Sequence, residues 1–599
     1  MTQSFDFGGL EATPGSYLAA ARQIENDPSL DAKQINVAVV STYTAAVIRP
    51  YLVVESARRD LAVVPTFGPY GQLEQQLLDP DSVIYASNPD VIVIATRIED
   101  MAEDLSGRLA TLSSSEVDEI LGELDQRFGN LLESARKHSA GHILVFNFSP
   151  PRLTSMGLAG PMSEHPASSV VERANSIIAK ACKNISSATV FEYGRVVLET
   201  GLDSWTDARL EHLGRIPFSF QAQMNLGKAL SRYLSAIFFT PHKCLVVDLD
   251  NTLWGGVIGE DGLGGIALGE DYPGNVYKEF QRQLVALKDR GVLLAINSKN
   301  DEPDVTEVFE RHPDMVLGLD DFAATRINWT DKASNIRSIA EELNIGVDAL
   351  AFFDDNPVER EWIRANAPEV AVIEVPPDPE NYAMALQDSE VFDHLVVVAE
   401  DLERAGVYQT EKRRTKLRAT HASVADFIRD LDVKVTIGAV NDETMPRVVQ
   451  LISKTNQFNL TGRRHTAAEI EEIVSLNGGI ALWTRSTDRF GDNGLVGVAI
   501  AIPDSPTEWR IDSFLMSCRV LGRGVESALL SSLAQQVADK DGKQLIGEYV
   551  ITKKNGMARA FFEGEGFNPR DEEGHYWEHA LDGSSLPAPD FVTINTSET

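Results

Sequence analysis

The sequence predicts an α/β protein of several domains, and three observations carry that prediction. The chain has 599 residues, too many for one hydrophobic core, so three or four domains are expected. Up to about residue 380, short apolar runs ending in a polar residue alternate with stretches of helical period, the pattern of parallel strands joined by helices. From about Val433 the order changes to a strand, two helices, three strands in succession, a glycine-bearing loop and a helix, an α+β layout. The expected boundaries are 1–235 and 236–380 for the two α/β domains, 381–431 for a charged helical connector and 432–583 for the α+β domain. A Pro/Ser/Thr-rich tail, 584–599, has the composition of a disordered segment.

Composition narrows the function classes. Hydrophobic residues make up 43% and charged residues 24%, ordinary for a globular protein. A formal net charge of -35 argues against nucleic acid and against an anionic membrane surface as partners. Three cysteines, Cys182, Cys244 and Cys518, make no disulfide framework, which points to a reducing, cytoplasmic setting. No apolar run reaches about 18 residues, so no membrane span is expected. The stretch from Met1 to Gly9 has no basic cluster and does not read as a signal peptide.

In the first domain Ile35–Val40 is an apolar strand ending in Ser41, and Val91–Ala95 and Ile143–Phe148 are two more. Helical patterns fill the gaps, as from Val117 to His138. The second domain carries the chemistry. Leu245–Val247 is a buried-strand run, and Asp248 and Asp250 follow where it ends, at the sheet edge where open α/β folds place ligands. In Asp-x-Asp-x-Thr the first carboxylate, beside a bound cation, is a usable nucleophile toward phosphorus. The second can serve as general acid and base, and Thr252 completes the motif. A second run, Val292–Asn297, ends in Ser298, a hydroxyl suited to a phosphate oxygen. Lys332 precedes a helical pattern, where an ammonium can neutralise phosphate charge. A third run, Leu350–Phe353, ends in Asp354 and Asp355, paired acids that suit a hard cation such as magnesium. Each alone has a plain reading: a turn serine, a surface lysine, a strand-end turn. Their order, with three of the four at the ends of apolar strands, favours one shared site.

The set resembles the four motifs of the haloacid dehalogenase superfamily of phosphotransferases. The wording from Asp248 to Gly262, Asp-Leu-Asp-Asn-Thr-Leu-Trp-Gly-Gly-Val-Ile-Gly-Glu-Asp-Gly, resembles its FkbH-like subfamily, which loads a glyceryl unit from 1,3-bisphosphoglycerate onto an acyl carrier protein. The resemblance implies Asp248 as nucleophile, Asp250 as acid/base, and Thr252, Ser298 and Lys332 as phosphate contacts. It also implies a Mg2+ site made by Asp248, Asp250 and Asp354, with Asp355 as alternative or helper. Motif spacing leaves room for a Gly-rich flap (Gly255–Gly269) and one helix (Val276–Arg290) between the first two motifs. Between Ser298 and Lys332 it leaves room for little more than a helix and a strand. No sizeable cap fits, so an open site is expected, one that suits a large partner or a covering domain.

Strand, serine, then helix in the first domain resembles the SGNH hydrolases, but the late acid–histidine pair, Asp207 and His212, has the wrong spacing. A degenerate domain used for docking or dimerisation is favoured over an active hydrolase. In the connector, Lys412, Arg413, Arg414, Lys416 and Arg418 form a basic excess. It reads either as a solvated helix face or as a landing strip for an acidic carrier.

In the third domain Arg519-x-x-Gly522-Arg523-Gly524 lies between a strand and a helix, a pattern that cradles phosphate through backbone N–H groups and a helix N-terminus. With Asn555 to Phe567 downstream, it resembles the GNAT acyltransferase fold. That likeness implies binding of a phosphopantetheine arm by Arg519, Gly522, Arg523, Gly524 and Asn555. The segment Thr455–Gly462 is a further FkbH-like signature, expected along the acyl end of that groove. Cys518 has two readings: an acyl acceptor activated by Arg519 and Arg523, or a small buried hydrophobe at a strand end.

The chain therefore reads as a bifunctional glyceryl transferase and phosphatase acting through a thioester at Cys518. The alternative is a phosphatase of a small or carrier-bound ester whose GNAT-like domain only recognises the arm. A non-catalytic carrier-binding scaffold is the third reading, and the full motif set disfavours it.

Overall fold

The apolar runs form the strands expected of them. The computed structural model describes residues 7, 9–26, 32–150, 157–396, 424–475, 478–552, 554–571, 573–581 and 586–596. The basic run from Lys412 to Arg418 lies outside the described residues. The chain divides into two units, Met1–Phe239 with Thr466–Glu469, and Thr240–His465 with Ile470–Thr599.

The first unit holds a wholly parallel sheet of β1 (Lys33–Ser41), β2 (Leu61–Phe67), β3 (Val91–Ala95), β4 (His142–Phe146) and β5 (Ala188–Phe191), in the order β2-β1-β3-β4-β5. This is a doubly wound order. Strand β3 is buried throughout, as a central parallel strand should be. Strand β2 contains Pro65 and sits at the sheet edge, where a missing N–H costs no ladder bond. Helix Ser114–His138 begins with a capping box between Ser113 and Glu116.

The second unit carries two sheets. One is parallel: β6 (Cys244–Val247), β7 (Leu293–Ser298), β8 (Phe322–Ile327), β9 (Leu350–Phe353) and β10 (Ala371–Val372), in the order β10-β9-β6-β7-β8. Strand β6 lies at its centre with all four residues buried. The other sheet contains β11 (Lys434–Ala439), β12 (Ile480–Asp488), β13 (Gly491–Pro503), β14 (Glu508–Met516), β15 (Gln544–Glu548), β16 (Asn568–Pro569), β17 (Tyr576–Ala580) and β18 (Thr593–Thr596). Its order is β16-β17-β15-β14-β13-β12-β11-β18, and β14 and β15 run parallel among mostly antiparallel neighbours. Helix Val525–Asp539 packs its Leu529, Leu530 and Leu533 into the core on one face. Among the described residues no helix is long and apolar enough to cross a membrane.

The tail corrects its expected disorder. Residues Thr593–Thr596 pair in parallel with Lys434–Ile437 as an edge strand, and Leu586 and Val592 are buried in the core. A few apolar side chains within a polar segment suffice, because β11 offers an open ladder to pair with. At about 1.5–3 kcal/mol per buried side chain, a chain ending at residue 585 is expected to lose roughly 3–6 kcal/mol of stability. A lowered urea midpoint would show this; an unchanged one would mean that the strand holds nothing.

Candidate active site

Sheet register brings the acidic motifs to one height. Val247, the last residue of β6, pairs with Phe353 on one side and Ile296 on the other. Asp248 and Asp354 therefore leave the sheet together at its carboxyl edge, level with Asn297 of β7, at the ligand-binding edge of such folds. Lys332 is the first residue of helix Lys332–Glu342, whose start is fixed by the Asp331 side chain accepting from Ser334 N–H. The Asn297 amide also donates to Lys332 O at 2.9 Å.

These elements place the Lys332 ammonium between two carboxylates, 3.0 Å from Asp248 Oδ1 and 2.6 Å from Asp354 Oδ2. Lys332 is 2% exposed and Asp354 0%. Burial works to lower the lysine pKa, and the charges of Asp248 and Asp354 outweigh it, so the ammonium is held above its ordinary range. Burial pushes the Asp354 and Asp355 carboxyls up, with the Asp248 charge adding to the effect. Carboxylate oxygens of Asp248, Asp354 and Asp355 lie within 4.8 Å of one another. Three such oxygens against one ammonium leave an excess of negative charge around hard donors, which fits a magnesium ion.

The other motif residues are buried around this cluster. Thr252 donates its hydroxyl to Asp355 Oδ1 at 3.1 Å. Ser298 is 2% exposed, and its Oγ accepts from Asn300 Nδ2 at 3.1 Å. Asp250 corrects the expected metal set, because its carboxylate is turned away from the acidic cluster. Its Oδ1 accepts from Trp254 Nε1 (2.9 Å) and Ile258 N (3.1 Å), and its Oδ2 accepts from Asn300 Nδ2 (2.9 Å). A carboxylate offers about four lone-pair sites, so one remains for a proton.

Two residues missed in the sequence emerge here. Asn300 ties the first and second motifs together. Arg360, buried on helix Pro357–Asn366, donates to the carbonyls of Asp354 and Asp355 at 2.7 and 2.8 Å. Both lie within a few residues of a motif, but neither has a spacing signal of its own. Between Thr252 and Lys332 the only helices are Ile258–Asp261, Gly274–Asp289 and Glu302–Arg311, with one short 3-10 turn, so no cap domain is present in this stretch.

No family profile matches the chain, and no curated protein does. Among solved structures, the phosphatase-containing N-terminal part of a Bacteroides fragilis protein, crystallised with Mg, is 28% identical. That match covers 63% of this chain and 98% of that chain, with a TM-score of 0.55. The central domain is haloacid dehalogenase-like, the fold of an enzyme of phosphoryl transfer. The C-terminal domain is GNAT-like, an assignment carried by its strand order. The ribosomal-protein-S18-alanine N-acetyltransferase from Escherichia coli (14% identity, 25% of this chain and 96% of that chain) has a TM-score of only 0.19. A putative acetyltransferase from Salmonella typhimurium, solved with acetyl-CoA (14% identity, 26% and 98%), has a TM-score of 0.20.

The residues expected to bind a pantetheine arm are engaged elsewhere. Arg519 donates to Ser517 Oγ at 3.1 Å, and Arg523 is buried 3.5 Å from Asp488 Oδ2. The Gly522 N–H donates to Glu526 Oε1 at 2.8 Å, so a carboxylate of this chain already sits at the cradle. A Cβ on Gly524 would meet Phe591 at 2.8 Å. Asn555 is fully buried and donates to the carbonyls of Asn459 and Val550 at 2.9 and 2.8 Å.

Cys518 is half-buried, and its thiol donates to Asn344 O at 2.9 Å while Asn344 Nδ2 donates to Cys518 O at 2.8 Å. Asn344 lies 12 residues after Lys332, just past the end of the same helix. The helix alone, Lys332–Glu342, spans about 15 Å at 1.5 Å per residue. Cys244 is buried at the far end of β6 from Asp248, its thiol pushed up by burial. Cys182 is core, pushed up to about 12 by burial. In the first unit, Ser41 donates to Tyr43 O at 2.6 Å and Asp207 caps helix Ala208–Gly214, so both serve the backbone.

Removing Lys332 leaves Asp248 and Asp354 buried without their counter-charge. Lys332→Ala is expected to cost about 3–5 kcal/mol in chemical denaturation; a change below about 1 kcal/mol would mean that the pair is not buried. The raised Asp354 and Asp355 carboxyls keep protons at pH values where the unfolded chain has lost them, so metal-free stability falls as pH rises from about 4 toward neutrality. Magnesium should raise the melting temperature more at pH 7 than at pH 5, and Asp248→Asn should abolish most of that gain. Melting curves in chelator and in magnesium check both, and equal gains at the two pH values would contradict them.

Proposed function

We propose that this chain is a magnesium-dependent phosphotransferase in which Asp248 is the nucleophile. The observation that supports it best is Lys332 bridging Asp248 and Asp354 within a buried acidic cluster. Asp248 Oδ2 attacks phosphorus as the P–O bond to the leaving group breaks, and the proton for that oxygen comes from Asp250. Water then attacks the phosphorus of the aspartyl phosphate, gives its proton to Asp250, and Asp248 is restored. Lys332, Ser298 and Thr252 orient and neutralise the phosphoryl oxygens. Asp248, Asp354 and Asp355 would hold Mg2+, which supplies charge neutralisation when bound.

The finer reading is a glyceryl transferase and phosphatase of the FkbH-like kind, supported by the sequence from Asp248 to Gly262. The donor is 1,3-bisphosphoglycerate or a related glyceryl phosphate that is likewise an acyl phosphate. The Cys518 thiolate takes the glyceryl acyl group as the C1 phosphate leaves. Thioester exchange passes it to the phosphopantetheine thiol of an acyl carrier protein and restores the Cys518 thiol, and the remaining phosphate ester is removed at Asp248. The alternative, a phosphatase of a small or carrier-bound phosphate ester with a non-catalytic GNAT-like domain, is favoured by one observation. The Cys518 thiol is tied to Asn344 at the far end of the Lys332 helix from the phosphoryl site.

Intact masses of protein and carrier protein after exposure to magnesium and 1,3-bisphosphoglycerate separate the two. A transferase adds one glyceryl mass to the carrier, and Cys518→Ala abolishes that addition while phosphate release persists. A carrier of unchanged mass with phosphate released supports the plain phosphatase. No phosphate release from any glyceryl phosphate contradicts the transferase, and none from any small or carrier-bound phosphate ester contradicts both.

A further inference from the structure

Strands β14 and β15 run side by side only as far as Ile511, which pairs with Gly547. Strand β14 continues to Met516, and its register against β13 skips Asp512, a bulge at the point where the two parallel strands part. A stretch of strand beside such a widening gap is a template for an extended, amide-bearing chain. Here that template is used by the protein itself. The Leu460 N–H donates to Phe514 O at 3.0 Å, and the Met516 N–H donates to Phe458 O at 3.0 Å. Asn459 stands opposite Leu515. On the other side of the gap the Val550 N–H donates to Leu460 O at 2.9 Å, so the segment is bonded to both arms of the fork.

Side chains fix it there. The Thr461 hydroxyl donates to Asp512 O, the bulged residue, at 2.9 Å. Asn555 bonds Asn459 O, and its own Oδ1 accepts from Thr552 N–H at 2.9 Å. Phe458 and Leu460 join the same core as Phe514, Met516 and Tyr549. A separate observation points the same way: in the glycine loop that follows β14, the Gly522 N–H already donates to Glu526 and the Phe591 ring packs close against Gly524.

We propose that Phe458–Thr461 is the permanent occupant of this fork, and that the C-terminal domain takes neither coenzyme A nor free pantetheine into it. Any carrier-borne arm must then meet its acyl group outside the fork. That last clause rests on the proposed function, whereas closure of the fork does not.

Hydrogen exchange of the full-length chain, with and without coenzyme A, tests the closure without any donor or turnover. The amides of Leu460, Met516 and Val550 should exchange as slowly as those of β13. Coenzyme A at about 1 mM, a concentration that reveals even weak binding, should change none of them and give no saturable heat in calorimetry. Fast exchange of the three amides, saturable binding, or a change confined to them on adding coenzyme A would overturn the proposal. Asn555→Ala should speed their exchange at least tenfold, and an unchanged rate would overturn the claim that the segment is clamped. If that variant does not fold, Thr461→Val gives the same readout with a smaller change. Failure here leaves the phosphoryl chemistry at Asp248 untouched.

Discussion

A buried ammonium shared by two carboxylates is the constraint on which the rest depends. Lys332 reaches Asp248 and Asp354 together and is the positive charge set between these buried acids, so removing it leaves them without a counter-charge. For the three to meet, strands β6 and β9 must end at the same level and the helix after β8 must begin beside them. The register supplies the first condition, and the Asp331 cap with the Asn297–Lys332 bond supplies the second. The catalytic reading thus follows from a packing requirement and not from the motif spellings alone.

The same helix sets a distance. Lys332 opens it and Asn344 lies just beyond its end, so the phosphoryl site and the Cys518 thiol are separated by a helix length. Direct attack of that thiol on a substrate held at Asp248 is not open to it, so the proposed transferase would need a mobile arm or a released intermediate to cover the gap. The same two stretches of chain are also tied by the pairing of Lys554 with Asp348.

Much of this was legible in the chain. Buried parallel strands read as continuous apolar runs, so β3, β6, β7 and β9 and the acids that follow them could be placed within a residue or two. What stayed hidden depends on tertiary context. Strand β2 is broken in pattern by Pro65 and survives only because it lies at an edge. The tail forms β18 only because β11 has a free ladder. The family resemblance implied Asp250 at the cation, but the hydrogen bonds from Trp254, Ile258 and Asn300 hold its carboxylate elsewhere. The glycine loop at 522–524 has the composition of a phosphate cradle, and no sequence rule announces that Glu526 takes the Gly522 N–H and Phe591 packs against Gly524. Nor does the pattern from Thr455 to Gly462 reveal that it bridges a fork.

The account is tested most directly by acid-quenched mapping of the protein after a brief exposure to magnesium and a phosphorylated donor. It predicts one phosphoryl group on the peptide carrying Asp248, with none trapped in the Asp248→Asn variant. Phosphate release without any such covalent species, or a phosphoryl group found on another residue, would contradict it.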